Sequence, residues 1–237
     1  MSKNRKVFRA LYENRTMAET IKQGEFIEIK FTGFADGKPF DSNILEDLKN
    51  LNPKSEPEKT IIIVGKEMVV RGLDKEFVGK EFNKEYRVSF SHKEGFGPRY
   101  KELIRTIPLK IFTGQRINPR PGASFVLDNQ LAKVIAVSGA RVITDFNNPL
   151  AGKDLEYKFT AIRSVEDLKE KAETVCKLIF RFIPKIEIDK DVVIIHGPKV
   201  LENLMKHSES EFKFLLNARV SFKESSPEKP LETEHSE

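Results

Sequence analysis

The sequence predicts an α+β fold, in which several short strands are combined with a few short helices. Two segments alternate apolar and polar residues with the two-residue period of a half-buried strand: EFIEIKF (25–31) and DLEYKFTAI (154–162). Between them, VVRGLDKEFVG (69–79) spaces its apolar residues at helical intervals and ends at a glycine. The third observation is a loop dense in turn formers, NNPLAG (147–152), which stands just before the second alternating strand.

The first hundred residues contain further strands and turns. Asp36-Gly37 is a dipeptide typical of a hairpin turn. The remaining elements are a mobile polar loop, LKNLNPKSEPEKT (48–60), a buried strand, IIIVG (61–65), an alternating strand, EYRVSF (85–90), and a glycine-broken loop, SHKEGFGPRY (91–100).

The character of the chain changes between about residues 101 and 146. LIRTIPLKIF (103–112) is apolar and interrupted by Pro108, and an irregular connector, RINPRPG (116–122), follows it. Three short strands come next, over ASFVL (123–127), AKVIAV (132–137) and RVITDF (141–146). This pattern predicts a small inserted domain, after which the NNPLAG loop returns the chain to the sheet that it had left.

Residues 165–224 predict a third unit that mixes helices and strands. Ser164 and Asp167 form a candidate capping box for a helix over VEDLKEKAE (165–173). Pro198 suits the first turn of a second helix, PKVLENLMKH (198–207). Strands are predicted over VCKLIFRFI (175–183), DVVIIHG (191–197) and EFKFLLNARVSF (211–222), the last as one unbroken alternating strand.

These boundaries divide the chain into four regions. A discontinuous domain covers 1–100 and 147–164, and it encloses the inserted domain at 101–146. A C-terminal α+β domain follows at 165–224. The last residues, 225–237, are expected to be a disordered acidic tail, because they carry four glutamates and one lysine.

Composition excludes several classes of protein. The single cysteine, Cys176, cannot form an internal disulfide, and the four scattered histidines show no metal-ligand spacing. No segment approaches the roughly 18 apolar residues of a membrane span, and the N-terminus has no apolar signal region. We therefore expect a cytoplasmic protein with no metal, no cofactor and no membrane contact.

The net charge of +5 is unevenly distributed. Residues 94–122 hold six basic and two acidic residues, a patch that could meet nucleic acid or an acidic partner. A solvated lysine-rich surface is the simpler interpretation, since no RNA-binding motif accompanies the patch.

The sequence contains no nucleophile elbow, phosphate loop or paired catalytic carboxylates. What recurs is a set of aromatic residues with one acidic residue, Asp41, directly after Phe40. Taken singly they read as core residues. Together, four segments resemble the FKBP-type peptidyl-prolyl cis-trans isomerases: KFTGFADGKPFDS (30–42), VGKEMVVRGLDKEFVGKEF (64–82), EGFGPR (94–99) and DLEYKFTAI (154–162).

The resemblance implies an antiparallel FKBP-like sheet wrapped on a short helix, over residues 25–100 and 147–163. The insertion resembles the insert-in-flap domain of the SlyD-like, chaperone-active branch, and the C-terminal unit is similar to that of the long archaeal members. Carried over position by position, the family's pocket consists of Phe31, Phe40, Asp41, Val69, Val70, Leu73, Phe96 and Tyr157.

The family pattern also assigns roles and exposes departures. Leu73 stands at the pocket floor, and the Val70 N–H is placed to donate to a carbonyl of the bound peptide. Phe31 and Phe96 occupy positions where well-known members carry tyrosine hydroxyls, and Asn148 replaces the histidine of NHPLAG. The role of Asp41 is expected to be electrostatic, and no covalent step or proton transfer is needed.

The implied function is isomerisation of X–Pro bonds in unfolded or nascent polypeptides, combined with chaperone activity. The insert would hold client chains near the pocket through apolar residues that could equally form its own core: Leu103, Ile104, Ile107, Ile111 and Phe112. The alternatives are a holdase with a degenerate isomerase pocket and a factor that binds the ribosome or RNA. A homodimer through the C-terminal domain is also predicted, because a long alternating strand over 211–222 would expose an edge.

Overall fold

The computed structural model describes residues 19–127 and 129–225, and these form three β-sheets with short helices. The first 18 residues of the predicted first domain and almost all of the predicted acidic tail lie outside the described residues. The α+β class is confirmed. No helix among the described residues is long and apolar enough to cross a membrane.

The first sheet is antiparallel and has five strands: β1 (Phe26–Ala35), β2 (Lys38–Ser42), β3 (Thr60–Ile63), β4 (Glu85–Phe90) and β9 (Leu155–Ser164). Four of them follow the order β2-β1-β9-β4, and β3 pairs with the first part of β1. The turn between β1 and β2 has positive φ at both Asp36 and Gly37, as the dipeptide predicts.

Two short helices accompany this sheet. Helix α1 (Leu45–Leu51) occupies the start of the stretch that we expected to be a mobile loop, so that expectation was wrong for residues 48–51. Helix α2 (Arg71–Glu76) lies where the apolar spacing predicts it, and Gly79 takes a positive φ shortly after its end. Leu73 and Phe77 are fully buried against the sheet, where they pack with Ile27, Ile29 and Phe159.

The insert has its own sheet of four strands and a separate small core. Its elements are β5 (Ile104–Pro108), α3 (Leu109–Gly114), β6 (Ser124–Leu127), β7 (Gln130–Ser138) and β8 (Arg141–Asp145). The strand order is β5-β8-β7-β6, and the three strands predicted after Gly122 are present. Phe112, Val134 and Val142 form the core under this sheet.

The C-terminal unit has three strands and three helices. They are α4 (Leu168–Phe180), β10 (Lys185–Asp189), β11 (Val192–Gly197), α5 (Lys199–His207), α6 (Glu209–Leu216) and β12 (Arg219–Glu224). β11 pairs antiparallel with β10 and parallel with β12, which is reached through α5 and α6. The helix predicted after Pro198 is present, with Pro198 at its N-cap.

The strand predicted over VCKLIFRFI is wrong, because α4 continues through it to Phe180. Asp167 begins this helix by accepting a hydrogen bond from the Glu170 N–H at 2.9 Å, and Ser164 takes no part in the cap. The helix buries Ala172, Val175 and Cys176 at helical spacing and ends at Arg181 in the left-handed region. Local capping and one-sided burial therefore override the β-branched and aromatic character of the run.

The unbroken strand predicted over EFKFLLNARVSF is also wrong. Its first half is α6, which buries Phe212 and Leu216 four residues apart, and only its second half is the strand β12. Asn217 separates the two with φ of 47°, a conformation that asparagine adopts more readily than most residues. The long exposed edge on which we based dimerisation is therefore absent, and only the shorter edge of β12 is present.

The C-terminal unit shares its core with the first sheet. Phe26 of β1 and Ile63 of β3 are buried among the apolar residues of α4, β10 and β11, instead of in the core around Phe77. Ion pairs cross the same junction: Lys59 and Arg163 both contact Glu170 on α4, and Lys66 lies 3.0 Å from Glu211 on α6. The first sheet thus has covered surfaces on both of its sides.

Candidate functional site

Four aromatic rings of the first sheet and one from the loop after β4 meet in what we call the aromatic cage: Phe31, Phe40, Phe90 and Tyr157 from the sheet and Phe96 from the loop. Tyr157 on β9 is central to it. The ring of Phe90 stacks on Tyr157 with centroids 5.7 Å apart, and Phe40 meets Tyr157 edge-on at 5.8 Å. Phe31 lies 6.1 Å from Tyr157, and Phe96 packs edge-on against Phe40 at 5.9 Å.

Two glycines allow the rings to come this close. A Cβ atom on Gly33 would lie 2.8 Å from Cζ of Phe40 and 2.9 Å from Cε1 of Tyr157. A Cβ atom on Gly72 would lie 2.4 Å from Cδ2 of Phe90. All three distances are shorter than carbon atoms tolerate without displacement, so any side chain at either position would push a ring out of the cage.

Asp41 supplies the charge at the rim of the cage. It follows Phe40 on β2 and is solvent-exposed as a residue, yet desolvation raises the pKa of its carboxyl group, and a hydrogen bond from the Ser42 backbone offsets this only in part. Burial also raises the pKa of the Tyr157 hydroxyl, and the negative charge of Asp41 raises it further. Tyr157 is therefore a neutral hydroxyl group within electrostatic range of Asp41.

The segment that carries Val69 and Val70 is held by a buried carboxylate. Asp74, 3% exposed, accepts hydrogen bonds from the N–H groups of Gly65 and Glu67, both at 2.9 Å. Its own N–H donates to the carbonyl of Val70 at 3.0 Å. Within the described residues, the Val70 N–H has no acceptor.

The seven apolar residues predicted for the pocket lie in one cluster. Phe31, Leu73 and Tyr157 are buried in it, and the other four pack against it while partly exposed. Asp41 stands next to the cluster through Phe40. The structure thus brings the seven apolar residues of the family pattern together, with Asp41 within electrostatic range of Tyr157.

The five apolar residues predicted to bind clients in the insert differ in their exposure. Phe112 is fully buried and meets Phe125 edge-on with ring centroids 5.0 Å apart, so its role is structural and the prediction is wrong for it. Ile107 packs against the same core, and Leu103 and Ile104 are half-buried. Ile111 is 41% exposed and is the member most available to a client.

A different face of the insert is more apolar and more exposed. Val126 of β6 is 61% exposed, and Leu131 of β7, its cross-strand partner, is 52% exposed. Ile135 continues along β7 with 43% exposure, at a bulge in the pairing of β7 with β8. We call these three residues the apolar strip. The sequence analysis missed it, because an alternating strand does not reveal which of its faces is covered.

Comparisons with known proteins agree with this geometry. Residues 17–112 match the family model for FKBP-type peptidyl-prolyl cis-trans isomerase, and residues 105–150 match the model for the IF domain of FKBP26. The short-type peptidyl-prolyl cis-trans isomerase of Methanocaldococcus jannaschii is 31% identical over 144 residues, which cover 60% of this chain and 92% of that relative. This chain belongs to the FKBP-type peptidyl-prolyl cis-trans isomerases.

Proteins named SlyD are also similar to this isomerase. The SlyD of Helicobacter pylori is 27% identical over 149 residues, covering 61% of this chain and 74% of the relative. For the SlyD of Haemophilus influenzae the identity is 27% over 106 residues, or 43% of this chain and 55% of the relative. The SlyD-like resemblance is therefore confirmed.

The sequence analysis missed three contributors to the site of this isomerase. Phe90 was assigned to one face of an alternating strand, but its stacking on Tyr157 depends on the pairing of β4 with β9. The importance of Gly33 and Gly72 was also missed, because it depends on rings that are distant in sequence. A glycine within an alternating strand is the hint that was available for Gly33.

We predict that Gly33→Ala lowers peptide isomerisation by at least about tenfold, since overpacking of this kind costs roughly 1–3 kcal/mol and displaces Phe40 or Tyr157. The measurement is a protease-coupled assay with a Phe-Pro peptide, together with circular dichroism to verify the fold. Gly114→Ala is the matched control, because an added Cβ there meets nothing within 4 Å. A fully active Gly33→Ala protein would show that the tight ring packing is not required.

Proposed function

We propose that this isomerase acts on X–Pro bonds of unfolded or nascent chains and that the aromatic cage stabilises the twisted amide. The barrier to rotation arises from amide resonance and is about 18–20 kcal/mol. The planar amide is more polar than the twisted one, so removal of water from the bond favours rotation. A thousandfold acceleration requires about 4 kcal/mol of differential stabilisation, and no covalent intermediate is involved.

The cage is suited to this mechanism by its lining. Phe40 and Phe96 are partly exposed and form walls that a proline ring can contact, while Tyr157 and Leu73 close the space behind them. The Val70 N–H, which lacks an acceptor within the described part of the chain, is available to bind a carbonyl of the substrate. The observation that carries the proposal is this convergence of apolar rings around one free donor and one carboxylate.

Asp41 is assigned an electrostatic role toward the rotating amide. Phe40→Ala should slow catalysis by about tenfold or more, because a wall of the cage is removed. Asp41→Asn keeps the shape of the side chain but removes its charge, and should slow catalysis several-fold. The control is Phe182→Ala in the C-terminal unit, whose ring is 52% exposed and which should have no effect on catalysis.

The pH profile separates the charge of Asp41 from its shape. Because desolvation raises the pKa of Asp41, the carboxylate is lost at a higher pH than an ordinary carboxyl group. Activity that depends on the charge therefore declines as pH falls through that raised pKa, and Asp41→Asn should be flat over the same range. Identical profiles for both proteins would contradict the electrostatic role.

We further propose that the insert holds client chains through the apolar strip, which raises their concentration at the cage without a new reaction. Three apolar side chains with exposures between 43% and 61% are an unusual feature for a sheet face that no element of the described residues covers. Of the residues in our original list, Ile111 on α3 is the most exposed, and it lies outside the apolar strip.

The strip can be tested without disturbing the cage. The double variant Val126→Ser with Leu131→Ser should retain peptide isomerisation but lose most of its advantage on the proline-limited refolding of a full-length protein. Val78→Ser with Leu51→Ser is a matched control, since both residues are exposed on the isomerase body. Equal losses on peptide and protein substrates would place the strip within the catalytic site instead, and no loss on either would reject it.

A homodimer through the C-terminal unit remains part of the proposal, on new grounds. A groove of about 260 Å³ lies between α5, α6 and β12, with Met205, Phe212, Val220 and Phe222 among its lining residues. The strand β12 pairs only with β11 within the described residues, so its other edge is open beside this groove. We propose a second copy of the chain as the occupant, because edge strands pair readily and closed twofold dimers are the commonest soluble oligomers.

Removal of the C-terminal unit by truncation at residue 164 would expose Phe26 and Ile63, which are buried against that unit. Point variants are therefore the better test of the dimer. Leu204 and Phe214 on the helices beside the groove are 49% and 80% exposed. Light scattering should give a dimer for the unmodified protein and a monomer for Leu204→Glu with Phe214→Glu. Val78→Glu on the isomerase body should remain dimeric, and a monomer for the unmodified protein would contradict the proposal.

Ribosome or RNA binding has less support than the sequence count suggests. Of the six basic residues in 94–122, Arg99 is paired with Asp145, and Arg105 lies over the ring of Phe146 with its guanidinium carbon 5.4 Å from the centroid. Charge alone favours this function, and we do not adopt it.

A further inference from the structure

Two segments of the chain, which we call crossings, connect the insert to the isomerase body. One side chain, which we call the clasp, links them by hydrogen bonds. The outgoing crossing is residues 97–103, and the returning crossing is residues 145–152. The carboxamide of Asn147 accepts a hydrogen bond from the Tyr100 N–H at 2.8 Å and donates one to the Tyr100 carbonyl at 2.9 Å. Asn147 is 7% exposed, and its side chain thus pairs with the opposite backbone as a strand would.

An ion pair between half-exposed Arg99 and largely covered Asp145 supports this clasp. The Asn147 side chain also donates to Oδ1 of Asp145 at 2.7 Å, and the other carboxylate oxygen of Asp145 accepts from Arg99 on the outgoing crossing. Desolvation would raise the pKa of Asp145, but the hydrogen bonds from Asn147 and Arg99 outweigh it and lower that pKa. Asp145 is therefore charged at neutral pH and links the end of β8 to both crossings.

Backbone hydrogen bonds flank the clasp on either side. The Phe146 N–H donates to the Leu103 carbonyl at 2.9 Å, and the Gly152 N–H donates to the Gly97 carbonyl at 2.8 Å. Gly97 directly follows Phe96 of the cage, so the fastened crossings begin at the wall of the catalytic site. Asn147 fills the interval between these two backbone bonds.

Beside the crossings, a cleft of about 410 Å³ lies between the insert and the returning crossing. Lys133 and Ile135 of β7 line it from the insert, Pro149 and Ala151 line it from the returning crossing, and Lys153 lines it from the body. Because space instead of packed side chains separates the insert from the returning chain here, the orientation of the insert depends on the clasp. Ile135 also belongs to the apolar strip, so this orientation decides where a held client lies.

We propose that Asn147 is a positioning residue that fixes the insert against the isomerase body, so that a client on the apolar strip reaches the aromatic cage. This inference rests on the proposed client-holding function of the insert. It assigns the clasp to Asn147 and leaves Asn148 outside it. Asn148 is exposed and bonds only within its own loop, where its Oδ1 accepts from the Leu150 N–H at 2.8 Å.

The first test measures orientation without reference to activity. Ser89→Cys on β4 and Ser138→Cys on β7 place labels on the body and the insert, and both serines are exposed. The native Cys176 is fully buried, and its pKa is raised to about 12, so it does not compete for thiol-reactive dyes. In the labelled protein with Ser89→Cys and Ser138→Cys, the further substitution Asn147→Ala should broaden the distribution of distances between the two dyes. Asn148→Ala should leave that distribution unchanged.

The second test uses the full chain on two substrates. Asn147→Ala should keep kcat/KM for a short Phe-Pro peptide within about twofold and raise KM for an unfolded protein client by about tenfold, with kcat little changed. Asn147→Asp keeps the acceptor for Tyr100 but loses both donated bonds, so it should behave like Asn147→Ala. Asn148→Ala should match the unmodified protein on both substrates.

The outcomes separate this inference from the client-holding function. An unchanged distance distribution and an unchanged KM in Asn147→Ala would overturn the positioning role of Asn147. The client-holding function fails if the double variant Val126→Ser with Leu131→Ser also has a normal KM for the client. In that case the distance distribution alone decides whether Asn147 fixes the insert. A loss of peptide activity in Asn147→Ala would assign the residue to the catalytic site and overturn the proposal.

Discussion

The antiparallel pairing of β1 with β9 is the interaction on which the rest of the molecule depends. Its register runs from Ile27 opposite Ser164 to Ala35 opposite Leu155. The same register sets Gly33 opposite Tyr157, which places the ring of Tyr157 over a residue without a side chain. The two strands are separated by more than a hundred residues that include the whole insert. Loop-closure entropy grows only slowly with length, so a long insertion is tolerated as long as its ends leave and return side by side. The clasp between Tyr100 and Asn147 keeps those ends together at the place where the pairing requires it.

β1 also connects the catalytic sheet to the C-terminal unit, because its side chains serve two cores. Ile27 and Ile29 pack with Phe77 and Phe159, whereas Phe26 packs with the residues of α4 and β11. Met68, one residue before Val69, contacts both cores, and the Ile63 N–H donates to its sulfur at 3.4 Å. The C-terminal unit is thus a covering layer for the sheet that carries the cage. The alignment with the short-type relative covers 92% of that relative but only 60% of this chain. Part of this chain therefore has no counterpart in the relative.

Patterns of a few residues were sufficient to predict most strands, the hairpin turn at Asp36-Gly37 and the return of the chain after NNPLAG. They failed in the C-terminal unit, where VCKLIFRFI and EFKFLLNARVSF contain apolar runs compatible with either a helix or a strand. The choice was made by Asp167 at the start of α4, and by Arg181 and Asn217 in left-handed conformations at the ends of α4 and α6. At the site, family resemblance selected residues that do converge, but Phe90 and the two cage glycines depend on distant contacts that no local pattern encodes. Exposure of the apolar strip was equally hidden, because it depends on which face of β7 the core of the insert covers.

The cage carries fewer hydroxyl groups than the family pattern implies. Position by position, Phe31 and Phe96 suggest a site that has lost two hydroxyl groups. The structure retains one hydroxyl close to the charged residue, because Tyr157 on β9 carries it and the charge of Asp41 contributes to the raised pKa of that hydroxyl. A neutral phenol within the otherwise apolar cage and a carboxylate at its rim leave the walls free to exclude water. Substitution of the two expected tyrosines therefore makes the cage more apolar where the proline ring would contact it, while a donor remains near Asp41. This arrangement is consistent with catalysis that depends on desolvation of the amide more than on hydrogen bonds to the substrate.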